Sequence, residues 1–292
     1  MNILTFDLEE WFHVLNNPPT DNESSWENYE YRLQKNIDRI LFLLDESNNI
    51  ATFFCLGWVA RKYPAIIKQI HSLGHEIGSH SNQHQLIYRH DRNFFKKDLE
   101  ISIKTLENLT GEKVKGYRAP GFSLIKDTLW VYEELALQGI EYDCSIFLGN
   151  HSHGGRISAF GQKPCIVNNE GMKIKEFPVN SFKFLHKEVA FSGGGYFRFL
   201  PYSFIKHLMN KTDYIMTYFH PRDFDSSQPM ILGLNNYRKF KSYYGLEKAF
   251  SKAEEFLSDY DFVSLNHADK LINWNLADNF QILDGNLYLD KA

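Results

Sequence analysis

The sequence predicts an α/β protein with a parallel sheet, folded as a single domain over residues 1–292. Short apolar segments alternate with longer amphipathic segments along most of the chain. This alternation is typical of strands joined by crossover helices, and hence of a parallel sheet. A length of 292 residues is also common for one α/β barrel. The chain has no repeat, low-complexity segment or linker that would divide it.

The predicted elements follow one another in regular order. After a first strand and a polar loop at residues 16–28, apolar runs of strand length alternate with helical spacing, and Gly74 and Gly111 stand where helices are expected to end. The predicted strands cover residues 2–6, 51–56, 76–79, 114–118, 140–145, 214–219 and 262–265. The predicted helices cover residues 31–44, 64–73, 93–109, 126–138, 201–209 and 246–257, with Gly- and Asn-rich segments before residue 201.

Composition and charge exclude several classes of protein. The formal net charge is −4, so the chain as a whole has no electrostatic reason to bind nucleic acid. Its three cysteines are far apart, which argues against a disulfide framework or a thiolate zinc site and indicates a reducing compartment. No apolar stretch approaches the ~18 residues of a membrane span. The N-terminus lacks the features of a signal peptide, so we expect a cytoplasmic protein if Met1 is the natural start.

Charged and imidazole side chains recur where the predicted strands end. They are Asp7, His80, Arg118, Asp143 and His220. In a parallel barrel the carboxyl ends of the strands share one face, and active sites lie on that face. The sequence therefore predicts a site that combines these side chains. The many aromatic residues, 24 Phe, 16 Tyr and 5 Trp, indicate either a core rich in rings or a cleft that stacks on sugars.

Two histidines and two acids are candidate metal ligands. His80 and His84 are separated by three residues, a spacing that can put both imidazoles on one face of a helical turn and on one ion. Asp7 and Glu9 are two residues apart, so both can face one cleft in an extended strand. One acid can then ligate the metal while the other acts as a base. The alternative is a helix N-terminus, with Asp7 as the cap.

Arg118 and His220 are candidates for catalysis. Arg118 precedes a Pro-Gly turn, and its rigid fork of donors can hold Asp7 ionised, unless it is a surface arginine. His220 ends an apolar strand and can protonate a leaving group, because the ordinary pKa of histidine is near neutrality, unless its role is structural. The chain has no nucleophile-elbow, phosphate-loop or HExxH motif.

Taken in order, the motifs resemble those of the polysaccharide deacetylases of carbohydrate esterase family four, the NodB-homology enzymes. The resemblance is greatest to the branch found in exopolysaccharide gene clusters. The matching segments span most of the chain and are residues 5–10 (TFDLEE), 51–54 (ATFF), 74–77 (GHEI), 80–84 (HSNQH), 116–122 (GYRAPGF), 142–145 (YDCS), 193–198 (GGGYFR) and 219–221 (FHP).

This resemblance implies a distorted (β/α)7 barrel, with about seven strands. It implies hydrolysis of the acetamide of an N-acetylated amino sugar, in a polysaccharide or its precursor, with a divalent metal that is usually Zn²⁺. The residues it implies are His80 and His84 as metal ligands, Asp7 as the catalytic base, Arg118 as the residue that orients the base, and His220 as the general acid.

The third metal ligand is a choice between two acids. Many members carry a second aspartate directly after the first, but Leu8 takes that place here. Members with acids spaced by one residue point to Glu9 as the ligand, and Glu10 is the alternative.

Other roles follow from the same motifs. Asp143 resembles the acid that supports the catalytic histidine, and Asp223 competes with it for that role. We expect Pro120, Gly121 and Tyr196 to contact the sugar. The alternative functions are deacetylation of a nucleotide- or lipid-linked precursor, an allantoinase-like amide hydrolysis on the same fold, and carbohydrate binding without turnover. The oligomeric state is left open.

Overall fold

The computed structural model describes residues 1–149, 153, 154, 157, 159–184 and 187–290. The strands are β1 (Asn2–Ile3), β2 (Thr5–Leu8), β3 (Thr52–Cys55), β4 (Glu76–Ser79), β5 (Gly116–Tyr117), β6 (Tyr142–Asp143), β7 (Cys165–Asn169), β8 (Met172–Glu176), β9 (Phe182–Phe184), β10 (Lys187–Val189), β11 (Ile215–Met216), β12 (Asn279–Leu283) and β13 (Asn286–Asp290). The helices are α1 (Glu23–Trp26), α2 (Leu33–Glu46), α3 (Gly57–Lys62), α4 (Pro64–Ser72), α5 (Arg92–Thr110), α6 (Val131–Leu137), α7 (Gly194–Phe199), α8 (Tyr202–Met209), α9 (Asn236–Tyr243), α10 (Leu246–Asp259) and α11 (Leu265–Leu271).

Parallel strands in sequence order, β2 to β6, form one side of a nine-stranded sheet. β2 pairs with β3, β3 with β4, β4 with β5 and β5 with β6, each in parallel. β8 joins β6 in parallel, whereas β7 is antiparallel to β8. β12 lies beyond β7, and β13 forms a hairpin with it. The predicted α/β class with a parallel sheet is therefore confirmed.

The first strands have partners on both sides, which curves the sheet toward a barrel. In addition to its contact with β3, the N-terminal segment pairs through β1 with β11 and through Phe6 with Phe219, both in parallel. On the other side of β11, the Met216 N–H donates a hydrogen bond to a side chain, Asn180 Oδ1, at 2.8 Å. The barrel is distorted at this point, where side-chain bonds replace strand pairing.

Apolar packing fixes the strand ends in place. Helix α2 buries a stripe that includes Leu33, Ile37 and Leu44, and in the sheet the rings of Phe6 and Phe53 stack with centroids 5.0 Å apart. Burying one such side chain contributes about 1.5–3 kcal/mol. The helices in the described part of the chain are too short or too polar to cross a membrane.

The structure departs from the predicted elements in several places. Residues 262–265, predicted as the last strand, contribute one bridge, between Val263 and Ile3, and α11 begins at Leu265. The Ser264 side chain accepts a hydrogen bond from the His267 N–H and caps this helix, so the apolar run is interrupted by a helix start. Helix α3 and the antiparallel strands β7, β12 and β13 are also absent from the prediction.

Candidate active site

Polar side chains at the carboxyl ends of the strands meet at one cleft of about 640 Å³. Asp7 lies in β2, His80 follows β4, and His220 follows the segment that pairs with Phe6. All three line the cleft, and Arg118, which follows β5, is fully buried against Asp7. Because the strands are parallel, their carboxyl ends share one face, and the topology itself assembles the site.

Glu9, His80 and His84 form a candidate metal centre. Their donor atoms lie within 4.8 Å of one another, and all three side chains are buried. Glu9 Oε2 is 2.7 Å from His84 Nε2, yet this buried oxygen has no hydrogen-bond partner of acceptable geometry among the described residues. An unsatisfied buried carboxylate oxygen is costly. Two imidazoles and one carboxylate form a donor set of catalytic zinc sites, so the residues fit a Zn²⁺-type ion.

The two neighbouring glutamates have different surroundings. Burial alone would raise the pKa of Glu9, but the charges of the nearby imidazoles, His84 above all, outweigh it and lower that pKa. Glu10 accepts hydrogen bonds from the backbone N–H groups of Arg32 and Leu33, both at 3.0 Å. These groups lie at the start of α2, and burial raises the pKa of Glu10. Glu10 therefore caps a helix, while Glu9 faces the metal centre.

A loop brings His80 and His84 together, so the helical turn inferred from their spacing is wrong. Ser81 and His84 have φ angles of 67° and 55°, in the left-handed region that few residues other than glycine adopt. Asp98 of α5 accepts hydrogen bonds from the Asn82 N–H at 2.7 Å and from the next backbone N–H at 3.1 Å. This carboxylate stabilises a loop that aims two imidazoles at one point.

His80 is oriented through its other ring nitrogen. Its Nδ1 lies 2.8 Å from the carbonyl oxygen of Arg118. A proton on Nδ1 donates to that oxygen and leaves Nε2 free as a metal ligand. Burial lowers the pKa of His80 to about 4 despite the nearby charge of Asp7, so the ring is neutral at pH 7, as metal binding requires.

Asp7 is held by Arg118. Arg118 Nη1 donates to Asp7 Oδ1 and to Thr5 Oγ1, both at 2.7 Å, and its guanidinium lies 4.3 Å from the centroid of the Phe54 ring. The other carboxylate oxygen, Asp7 Oδ2, is 3.7 Å from His220 Nε2. Asp7 therefore presents one oxygen to the buried arginine and the other to the cleft.

His220 is paired with Asp223. Its Nδ1 lies 3.0 Å from Asp223 Oδ2, and Arg198 donates to the second oxygen of the same carboxylate. Burial opposes protonation, but the hydrogen bond and charge of Asp223 outweigh it and raise the pKa of His220 to about 9. The imidazole is therefore protonated at pH 7, and its Nε2 lies 3.6 Å from Glu9 Oε1.

Asp143 does not support the histidine, which corrects the role expected for it. Asp143 is fully buried and accepts hydrogen bonds from the hydroxyl and the backbone N–H of Ser145. It faces Glu176 across the β6–β8 pair. Burial and the charge of Asp143 raise the pKa of Glu176 well above its ordinary range. Glu176 therefore holds a proton that it shares with Asp143. The acid that contacts His220 is Asp223.

The residues expected to contact the sugar are divided. Gly121 and Tyr196 line the cleft, whereas Pro120 is buried and lies outside the described lining. Gly121 has a φ of 60°, and a Cβ there would lie 2.6 Å from a methyl group of Leu15, so the wall requires glycine. The sequence does not predict that α9 lines part of the cleft. The basic residues at 238–241 are the feature of the sequence that could have indicated it.

Comparison with known proteins places this site in a family context. Residues 18–140 match the family model "Polysaccharide deacetylase", and residues 144–270 match a domain of unknown function, DUF3473. The chain is 32% identical over 97 residues to a peptidoglycan-N-acetylglucosamine deacetylase of Bacillus cereus, covering 33% of this chain and 35% of the relative. It is 29% identical over 101 residues to a chitooligosaccharide deacetylase of Azorhizobium caulinodans, covering 34% and 48%. The matches thus span less than half the length of these two relatives.

A solved structure extends the likeness to nearly the whole chain. It is that of a candidate polysaccharide deacetylase from Mycobacterium smegmatis, with a TM-score of 0.65 and 20% identity over 95% of this chain and 91% of that one. At this identity the likeness concerns the fold alone. Fold and site together define an α/β protein with a candidate metal centre at the carboxyl edge of its sheet. The match to the polysaccharide deacetylase family model lies in residues 18–140, and the fold predicted from that resemblance is confirmed.

Proposed function

We propose that the chain is a metal-dependent N-deacetylase, which hydrolyses the acetamide of an N-acetylated amino sugar and releases acetate. One observation carries the proposal: a carboxylate held by a buried arginine and a protonated histidine held by a carboxylate flank the same Glu–His–His cluster. Asp7 and His220 are the two groups, and His220 Nε2 lies 3.7 Å from Asp7 Oδ2 and 3.6 Å from Glu9 Oε1. The names of the two curated relatives support an N-acetylated amino sugar as the substrate class.

Glu9, His80 and His84 would hold the metal, and Zn²⁺ is the ion that this donor set favours. When bound, such an ion polarises a carbonyl and lowers the pKa of a water molecule. His80 is suited to this role because the Arg118 carbonyl fixes its ring.

The remaining steps belong to the side chains of the cleft. Asp7 Oδ2, the oxygen not bonded to Arg118, takes the proton of the attacking water. Arg118 keeps this carboxylate in one orientation, so no reorganisation is needed at the moment of reaction. His220, protonated at Nε2 and paired through Nδ1 with Asp223, then donates its proton to the departing amine. The products are acetate and a free amino sugar.

Acetate release from the zinc-loaded chain tests the proposal. The substrates are N-acetylglucosamine oligomers, a sugar nucleotide of N-acetylglucosamine, and allantoin. We expect acetate from an amino sugar, and a loss of about 10²–10⁴-fold in kcat for Asp7→Asn and for His220→Ala. Metal content should stay near one ion per chain in both variants, because neither residue belongs to the cluster. The exposed His267, changed to alanine, is the matched control.

The outcomes separate the alternatives. Hydrolysis of allantoin alone would show a ureide hydrolase on the same fold. Binding of oligomers with no acetate released, while the metal is bound, would show a carbohydrate-binding protein. A double variant of His80 and His84 to alanine that retains the metal would refute the metal centre itself.

A further inference from the structure

Three basic side chains on one wall of the cleft form no salt bridge with any described residue. Arg222, Arg238 and Lys241 all line the cleft. Within the described part of the chain, none of them forms an ion pair with a carboxylate, whereas Arg198 beside them is paired with Asp223. Arg222 and Arg238 are partly buried and Lys241 is exposed, and together they place three positive charges on one wall in a chain whose net charge is −4.

Arg222 forms no salt bridge among the described residues, although the charges of Asp223 and Glu9 act on it. Its Nη1 donates to the carbonyl oxygen of Trp11 at 2.9 Å. Its Nη2 is buried and has no hydrogen-bond partner among the described residues. Burial lowers the pKa of Arg222, which shows how poorly this position is solvated. Its Nη2 is therefore a donor that a ligand in the cleft can use.

Arg238 and Lys241 lie three residues apart on the same face of α9, next to Tyr237, which also lines the cleft. Arg238 is fixed to the opposite rim, because its Nη1 and Nη2 donate to the carbonyl oxygens of Asn16 and Leu15 at 2.7 and 2.6 Å. Lys241 is exposed and has no such anchor among the described residues. Lys241 is therefore the ammonium group available to a ligand.

His153 connects this wall with the metal centre. It lines the cleft, and after burial the charges of Arg238, Lys241 and His84 are the main causes that lower its pKa to about 4. One imidazole thus experiences the basic wall and a metal ligand together. A ligand that occupies the cleft can reach both regions at once.

We infer that this basic wall binds an anionic group carried by the substrate next to its N-acetylated sugar. The inference rests on the proposed function and narrows its substrate class. Arginine and lysine side chains that line one wall of a cleft suit a phosphate or a carboxylate. The charge has two possible sources. One is the phosphate of a nucleotide- or lipid-linked precursor, and the other is the carboxylate of a uronic acid unit in a polymer.

Binding to the zinc-loaded full chain, measured by titration calorimetry, tests the inference. The three probes are a neutral oligomer of N-acetylglucosamine, uridine diphosphate N-acetylglucosamine, and an oligosaccharide of alternating glucuronate and N-acetylglucosamine. We expect one charged probe to bind at least about tenfold more tightly than the neutral one, as a charged hydrogen bond can provide. Lys241→Gln should remove most of this gain, and added salt should weaken it.

Lys239→Gln is the matched control, since Lys239 lies on the same helix and is absent from the described lining of the cleft. It should leave the preference unchanged. The charged probe that gains affinity identifies the source of the anion. Equal affinities for all three probes, no binding of any probe, or equal effects of the two lysine variants would overturn the inference. A gain that persists in Lys241→Gln would also overturn it, because the anion would then sit on the metal.

The binding measurement can be interpreted separately from acetate release. Acetate released equally well from neutral and charged substrates would leave the proposed deacetylation standing and refute the anion site. Charged probes whose binding depends on Lys241 but which yield no acetate would support the anion site and refute the proposed deacetylation.

Discussion

The buried pair of Asp143 and Glu176 leads to a quantitative prediction for Glu176→Gln. Glu176 Oε1 accepts a hydrogen bond from the Ile146 N–H at 3.2 Å, and Oε2 accepts one from the Tyr132 hydroxyl at 3.0 Å. The carboxyl group also bonds to Asp143. An amide of the same shape can accept from Ile146 and donate to Asp143, and the Tyr132 hydroxyl can turn to accept. The substitution removes the titration and keeps the packing.

The size of the effect depends on pH. In the unfolded chain Glu176 ionises near its ordinary value of 4.5, whereas burial and the charge of Asp143 hold the folded pKa well above that value. Between these two pKa values the folded state binds one more proton than the unfolded state. The free energy of unfolding therefore falls by about 1.4 kcal/mol for each pH unit. Between pH 5.5 and 7.5 the free energy of unfolding of Glu176→Gln should therefore rise by up to roughly 2.7 kcal/mol relative to that of the wild type.

Urea denaturation at a series of pH values, with Zn²⁺ held constant, measures this difference. We expect the two proteins to be similar at pH 4.5 and to diverge as the pH rises, with the variant the more stable. Glu112, which is exposed, provides a matched glutamate-to-glutamine control that should follow the wild type. Parallel pH profiles for wild type and Glu176→Gln would refute the idea that the folded pair holds a trapped proton.

Three further predictions concern the site. Chelation should lower Tm, because an ion that binds the folded state at 100 times its Kd stabilises it by about 2.7 kcal/mol; calorimetry should show no such shift for His80→Ala. Arg118→Met should lower the free energy of unfolding by about 3–5 kcal/mol in urea, because it leaves the buried Oδ1 of Asp7 without its guanidinium donor; equal stability would contradict the ion pair. Asp223→Asn removes the carboxylate that raises the pKa of His220 to about 9. The imidazole then loses its proton at lower pH, so the alkaline limb of the pH–rate profile should move to lower pH, and an unmoved limb would contradict the role of Asp223.

The sequence predicted the parallel half of the fold well, and physical reasons explain where it failed. Strands such as β3 are buried on both faces, so they read as continuous apolar runs. Strands β7 and β8 alternate between buried and partly exposed positions and sit among glycines and asparagines, which hide their pairing. At the chain's last predicted strand, a single Ser264 cap outweighs the apolar run. The single domain and the cytoplasmic location stay predictions.

For the site, residue type and position after a strand were sufficient to select Asp7, His80 and His220. Spacing was a poor guide to geometry, because His80 and His84 meet through a loop whose φ angles depend on Asp98, a partner on α5. The choice of Asp223 over Asp143 could not come from local sequence either. It depends on which face of the barrel each carboxylate points to, and only the three-dimensional pairing decides that.

The division of the reacting groups between two sequence segments has a consequence for how relatives are compared. His80, His84 and Arg118 fall in the segment that matches the deacetylase family, whereas His220 and Asp223 fall in the segment without an assigned function. On the proposed mechanism, the segment without an assigned function supplies the proton donor of the reaction, His220, and its partner Asp223. Arg198 ties Asp223 to the carbonyl groups that follow α9. On that mechanism, exchanging this segment between homologues transfers proton donation as a unit. A homologue that shares only the first segment keeps His80, His84 and Arg118 without the acid, whereas Asp7 and Glu9 precede both segments.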